Sequence, residues 1–276
     1  MSKLRLMSHN QWRRDAQHPA WEAVGADCSP SVRVRGFARV FSDIQPDIVG
    51  IQECSGLMAD KLIRYTQQAG MKYALLWGRD TPIVYRPDKF ELVDSAFLVY
   101  PEEFPGYEGS FNNSKTKSYC IGVFRVKENG KLLIYATTHL WWQGDTTQPG
   151  SSLARAYQMD LLIDKVDELQ KKYNCPAFVV GDLNAHYDSP AVKAAFNRGF
   201  LHTHDIAVEY VNEENGTHFC FDAGFKPYTP STFDRAIDHI LVRNAPEGMI
   251  RRFDRFYEEY YMPLSDHHPV FVDIEI

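Results

Sequence analysis

Residues 263–276 read PLSDHHPVFVDIEI. Two histidines stand behind an aspartate, a proline follows them, and an alternating strand closes the sequence. Where a chain runs extended into a strand, neighbouring side chains point to opposite sides. His267 and His268 therefore cannot both face one cleft, and one of them is expected to work while the other packs.

Other apolar runs end in polar residues in the same way. Asn10 follows the strand-like Leu4–His9, Glu53 follows DIVGIQ (47–52), and His139 follows LLIYATT (132–138). Asp182 and Asn184 follow AFVVG (177–181), Asp238 lies inside AIDHILV (236–242), and Asp266 and His267 precede VFVDIEI (270–276). A single polar residue at a strand end is ordinarily a turn or cap residue. Four carboxylates, two histidines and two asparagines at such ends are another matter, because strands stacked in a sheet bring their ends together. Carboxylates crowded in one cleft repel each other unless a cation compensates. Oxygen ligands suit Mg²⁺ or Mn²⁺ better than zinc. A hard cation beside imidazoles suits attack of water on phosphorus.

The remaining elements follow from periodicity. Helical spacing covers Val32–Ile44, through Val34, Phe37, Val40, Phe41 and Ile44, and stops before Pro46. A second helix is expected over Gly56–Ala69. The longest is expected over Ser152–Tyr173, capped by Ser152, with Leu153, Tyr157, Leu161, Leu162, Val166 and Leu169 as its apolar stripe. A short one is expected over Ser189–Phe196, with Pro190 in its first turn. Strands are expected at Tyr73–Trp77, Pro82–Tyr85 and Leu92–Leu98, and a hairpin at Tyr119–Val126 and Leu132–Thr138 around Glu128-Asn129-Gly130. Strands outnumber helices and hairpins mix with βα units, so a two-sheet α+β sandwich fits better than a doubly wound sheet. The long loops 101–118, 143–151 and 209–233 have the length of functional loops.

The set QE (52–53), THL (138–140), GDLN (181–184), IDHI (237–240) and SDHHP (265–269), with Asn10 after the first strand, resembles the endonuclease/exonuclease/phosphatase superfamily. The resemblance runs over essentially the whole chain. It implies the deoxyribonuclease-I-like fold, a four-layer α/β/β/α sandwich of two mixed sheets flanked by helices, as one domain over 1–276. It also implies roles: Asn10, Glu53 and Asp266 at a Mg²⁺ or Mn²⁺ site, and His139, Asp182, Asn184, Asp238 and His267 as the catalytic set. His267 is the working histidine, with Asp238 fixing its tautomer. Either Asp182 or the His267–Asp238 pair takes the proton of the attacking water.

Further candidates for substrate contact are Lys115, Lys117, Trp141, Trp142, Arg155 and His186, each of which also has an ordinary reading as packing or surface. Arg33, Arg35 and Arg39 read as a basic helix face used for salt bridging. The aromatic residues Tyr210, Phe219, Phe221, Phe225 and Tyr228 read as a lid or a packed loop.

Composition limits the partners. The formal net charge is −6, and 44% of the residues are hydrophobic. An acidic chain has no general attraction for nucleic acid or anionic lipid. Cysteines 28, 54, 120, 175 and 220 are odd in number and widely spaced, which argues against a disulfide framework. MSKLRLMSHN lacks an apolar signal core, and no run reaches the ~18 apolar residues of a membrane span. The expectation is a cytoplasmic hydrolase of a small organic phosphate, such as a sugar phosphate or nucleotide, with no membrane insertion and no obligate protein partner. The alternatives are a nuclease acting on DNA or RNA and an inactive binding module on the same fold.

Overall fold

The structure, a computed structural model, describes residues 1–13, 18–218, 232 and 236–276. In chain order its elements are β1 (Lys3–Asn10), α1 (Pro19–Glu22), α2 (Pro30–Ile44), β2 (Ile48–Gln52), α3 (Gly56–Gln68), β3 (Ala74–Leu76), β4 (Ile83–Tyr85), β5 (Phe90–Val99), β6 (Ser118–Val126) and β7 (Leu132–His139). There follow α4 (Ser151–Tyr173), β8 (Ala177–Asp182), α5 (Pro190–Asn197), β9 (Leu201–His202), α6 (Thr203–Ile206), β10 (Glu209–Val211), β11 (Asp238–Arg243), β12 (Ile250–Arg255) and β13 (Val270–Glu275).

The strands form two mixed sheets. One runs β10-β12-β13-β1-β2-β4-β3 and the other β5-β6-β7-β8-β11-β9. Leu6, Ile48, Phe124, Tyr135, Phe178, Val180, Ile240 and Val272 pack between them. Tyr135 crosses that interface, its hydroxyl donating to Met7 O at 2.5 Å and accepting from Gly50 N at 3.0 Å. Gly50 is needed there, because a Cβ would lie 2.6 Å from Thr137 Cβ. Outside, α2 and α3 cover the first sheet through Val34, Phe37, Phe41, Met58 and Leu62. On the other side, α4 and α5 cover the second sheet through Met159, Leu162, Ile163, Val166 and Val192. The result is the four-layer α/β/β/α sandwich.

The register puts the polar strand ends on one edge. β1 and β2 are parallel with Asn10 opposite Gln52, so Asn10 and Glu53 finish together. β7 and β8 are parallel with His139 opposite Asp182. β11 runs antiparallel to β8 with Asp238 opposite Asp182. Parallel strands thus end, and antiparallel ones begin, at the same crevice.

Several expectations need correction. Ser152 does not cap α4: the cap position is Gly150 in the left-handed region, and Asp145 Oδ1 instead accepts from Ser152 N at 3.2 Å. The buried face of α4 keeps Leu162, Val166 and Leu169 of the expected stripe but differs in its first turns. Ala154, Met159 and Ile163 are inside, whereas Leu153 is 46% exposed. Strand β12 is absent from the expected elements, and β10 lies inside the expected loop 209–233. Among the described residues Arg33 makes no salt bridge. It is buried and donates to the carbonyls of Cys28, Gln11, Leu264 and Trp12, tying the segment after β1 to the one before Asp266. Arg39 does pair with Asp43, at 3.9 Å. Phe219, Phe221, Phe225, Tyr228 and Cys220 lie outside the described residues, and the other four cysteines are buried. Among the described residues no helix is long and apolar enough to cross a membrane.

Candidate active site

The crevice is a cleft of about 280 Å³ lined by Glu53, Asp182, Asn184, Asp266, His139 and His267, together with Lys117, Trp142, Arg13, Asp80, Ser114, Thr116 and His218. Backbone geometry aims two of these. Glu53 and Asn184 sit at φ 55° and 47°, in the left-handed region that non-glycine residues avoid. Gly181 makes the GDLN turn possible, since a Cβ there would lie 2.0 Å from Thr138 O.

Asp182 is the hub. Its Oδ2 accepts from Asn10 Nδ2 at 3.0 Å and lies 3.3 Å from His139 Nε2 and 3.8 Å from His267 Nε2. Its Oδ1 accepts from Asn184 N at 2.8 Å. Burial disfavours its ionised form, but His267, His139 and Lys117 outweigh burial and hold it well below the ordinary carboxylate range. His267 Nδ1 donates to Asp238 Oδ2 at 2.7 Å, which leaves Nε2 facing the cleft. Burial opposes a charged His267, yet Asp238 and Asp182 raise it well above the ordinary histidine range. His268 turns away, as strand alternation requires. Its ring is buried 4.1 Å from that of Tyr257, and burial pushes it down to about 3.

Lys117 is buried, its ammonium touching His139 Nε2. Burial lowers it to about 8 although Glu53, Asp182 and Asp80 favour its charge. Glu53 accepts from Arg13 N at 3.1 Å and lies 4.0 Å from His139 Nε2. Burial disfavours ionised Glu53, but His139, Lys117 and His267 draw it down.

Asn10 differs from expectation. Trp12 N holds its oxygen at 2.9 Å, and its amide nitrogen bridges Asp182 and Glu53. It faces the carboxylates as a donor and presents no oxygen to a cation. Glu53 and Asp266 share the cleft but fall in different clusters of close donor atoms. Glu53 groups with His139 and Asp182, and Asp266 with His218 and His267. Asp266 Oδ1 is buried and accepts no hydrogen bond among the described residues. Burial pushes Asp266 up to about 7, against the charge of His267. A buried carboxylate oxygen without a donor, in an acidic oxygen-rich cleft, fits a hard divalent cation.

Four of the six proposed substrate contacts lie elsewhere. Lys115 is exposed and pairs with Glu102 at 3.2 Å. Arg155 is buried, donating to Trp141 O and Gln143 O, so it shapes the loop after β7 from behind. His186 is exposed and lines a separate cavity with His202, His204 and His239. Trp141 is buried at 1% exposure, while Trp142 reaches the cleft at 58%. Arg13, Asp80 and His218 were missed. Each sits outside the strand-end pattern, and only Arg13, three residues past Asn10, lay near a recognisable signal.

A two-sheet sandwich with an acidic, imidazole-bearing crevice at the strand ends defines a phosphoester hydrolase scaffold. The model of the endonuclease/exonuclease/phosphatase family matches residues 25–267, and the chain belongs to that family, whose members are hydrolases of phosphoesters dependent on divalent metal. A family member of solved structure from Bacteroides thetaiotaomicron superposes with a TM-score of 0.73 at 23% identity, over 99% of this chain and 95% of its own. A mannosyl-6-phosphatase from the same organism superposes with a TM-score of 0.70 at 24% identity, over 99% and 100%. A probable RNA exonuclease of Schizosaccharomyces pombe is 29% identical over 105 residues, which is 37% of this chain and only 19% of that protein.

Proposed function

We propose that this protein hydrolyses a small organic phosphate ester, a sugar phosphate or a nucleotide, with Mg²⁺ or Mn²⁺. The carrying observation is the size of the cleft, about 280 Å³ among the described residues, just below the usual range of ligand sites, in a chain of net charge −6. Its bound cation would be held by Glu53, with Asp266 lining the same cleft, and would neutralise charge on the phosphoryl group.

The residues of the chain do the rest. Lys117, His139 and Asn184 surround the place for the phosphoryl oxygens and can donate to them as charge develops. Asp182 and His267 Nε2 both face the place for an attacking water, and either Asp182 or the His267–Asp238 pair takes its proton. Asp238 keeps the His267 ring in that orientation. The mannosyl-6-phosphatase likeness supports a sugar phosphate, and the exonuclease likeness keeps nucleic acid as the competing substrate.

The test is ester cleavage with Mg²⁺ or Mn²⁺, with and without EDTA, over sugar phosphates, nucleotides, a phosphodiester, plasmid DNA and RNA. Metal-dependent release of inorganic phosphate from small monoesters is expected. Nicked plasmid or degraded RNA with monoesters untouched would make it a nuclease, and no turnover of any ester would make it a binding module.

A further inference from the structure

Asp80 lines the cleft and belongs to none of the clusters of close His and carboxylate atoms. It sits in the turn between β3 and β4 and is only 6% exposed. Arg13 Nη1 donates to its Oδ1 at 2.5 Å, and no other side-chain bond engages it among the described residues. A carboxylate beside a phosphate site repels the substrate. The other acids have tasks that offset this: Asp182 and Asp238 hold imidazoles, and Glu53 and Asp266 face the cation site. Asp80 does neither.

Resting on the reading of the cleft as a small-phosphate site, we infer that the leaving group is a polyhydroxylated ring, one sugar in size, gripped by the Arg13–Asp80 pair. A hydroxyl both donates and accepts, so it satisfies guanidinium and carboxylate together. A second phosphate only accepts. It would satisfy Arg13 and be repelled by Asp80, which disfavours a polynucleotide backbone or a nucleoside polyphosphate. The rest of the rim agrees. Ser114 and Thr116 add hydroxyls, and Trp142 leaves an aromatic face open to the C–H side of a ring. Trp142 would stack on a base equally well, so Asp80 is the discriminating residue.

The experiment compares hexose monophosphates, their deoxy analogues, nucleoside monophosphates and phenyl phosphate on the Mg²⁺-loaded full chain, with Asp80→Asn and Trp142→Ala. Asp80→Asn keeps the shape of the side chain and removes its charge. It should raise KM for the best hexose monophosphate by about tenfold or more with kcat within about twofold, collapsing its advantage over phenyl phosphate. Deleting the hydroxyl that Asp80 holds should cost the wild type a similar factor and cost the variant little. Trp142→Ala, at an exposed site, should raise KM for hexose monophosphates without loss of Tm. Nucleoside monophosphates cleaved in preference to hexose monophosphates would overturn the inference, as would Asp80→Asn lowering kcat alike on every ester. Those outcomes leave the small-phosphate reading standing. Phenyl phosphate and all sugars untouched while nucleic acid is cut would remove both.

Discussion

His267 Nδ1 lies 2.7 Å from Asp238 Oδ2, and the two residues reach each other from the starts of two strands in different sheets. The bond fixes which imidazole nitrogen meets the cleft. His267→Ala should therefore cut turnover by about a thousandfold or more while leaving the melting temperature close to wild type. Asp238→Asn should cost a comparable factor by inverting the hydrogen bond to Nδ1. Steady-state kcat beside a thermal melt of each variant checks both, and near-normal activity of His267→Ala would refute the assignment.

Glu53→Gln keeps the side-chain shape and removes one charge from the cleft. The half-saturating Mg²⁺ concentration for activity should rise by at least about tenfold. The melting temperature in EDTA should change little, because among the described residues the side chain of Glu53 pairs only with Asn10, Arg13 and His139. A metal titration superimposable on that of the wild type would place the cation elsewhere.

The strand ends were legible because each follows an apolar run; alternation at residues 267–268 sends the two histidines to opposite sides, and the family resemblance says which one works. β12 was not legible, since IRRFDR reads as a charged loop. The structure resolves its charges internally, Arg252 pairing with Asp254 at 2.6 Å and Asp254 accepting from Asn212 at 3.0 Å. Polar residues satisfied across strands erase the period-two pattern that identifies a strand. Asp80 was invisible for a different reason: it is placed by a turn, and turns carry no periodicity. The α4 stripe held for Leu162, Val166 and Leu169 but not for Leu153, because Arg155 and Gln158 share its buried face, where they hold the carbonyl of Trp141, its amide and the carbonyl of Phe111.

Tyr261 supports the catalytic histidine from beneath. Its hydroxyl donates to His267 O at 2.6 Å and accepts from His9 Nε2 at 3.0 Å, with all three residues buried. Tyr261→Phe leaves a buried carbonyl without its donor and a buried imidazole N–H without its acceptor. A stability loss of about 1–3 kcal/mol is expected in chemical denaturation. If the contact positions His267, kcat should fall while KM holds. An unchanged kcat would make Tyr261 a packing residue alone.

Four buried histidines should weaken the fold on the acid side. Burial pushes His9 and His268 down to about 3, His239 to about 4 and His202 well below its ordinary value. In the unfolded chain all four titrate near 6.5. Below that pH the unfolded chain binds protons that the folded one refuses, so their contribution is whole above about 6.5 and is lost progressively as the pH falls toward about 4. His267 has the opposite sign. Its folded value is raised, so its contribution is present below about 6.5 and lost as the pH rises through that raised value. Asp266, pushed up to about 7, and Asp238 and Asp80, also raised by burial, share the sign of His267 and offset part of this uptake. The share of a single histidine is what a substitution isolates. His268→Phe keeps an aromatic ring against Tyr257 and Tyr261 and removes one titrating group. It should lower the slope of stability against pH on the acid side by one proton, about 1.4 kcal/mol per pH unit. A slope equal to that of the wild type would mean that His268 is charged in the folded protein.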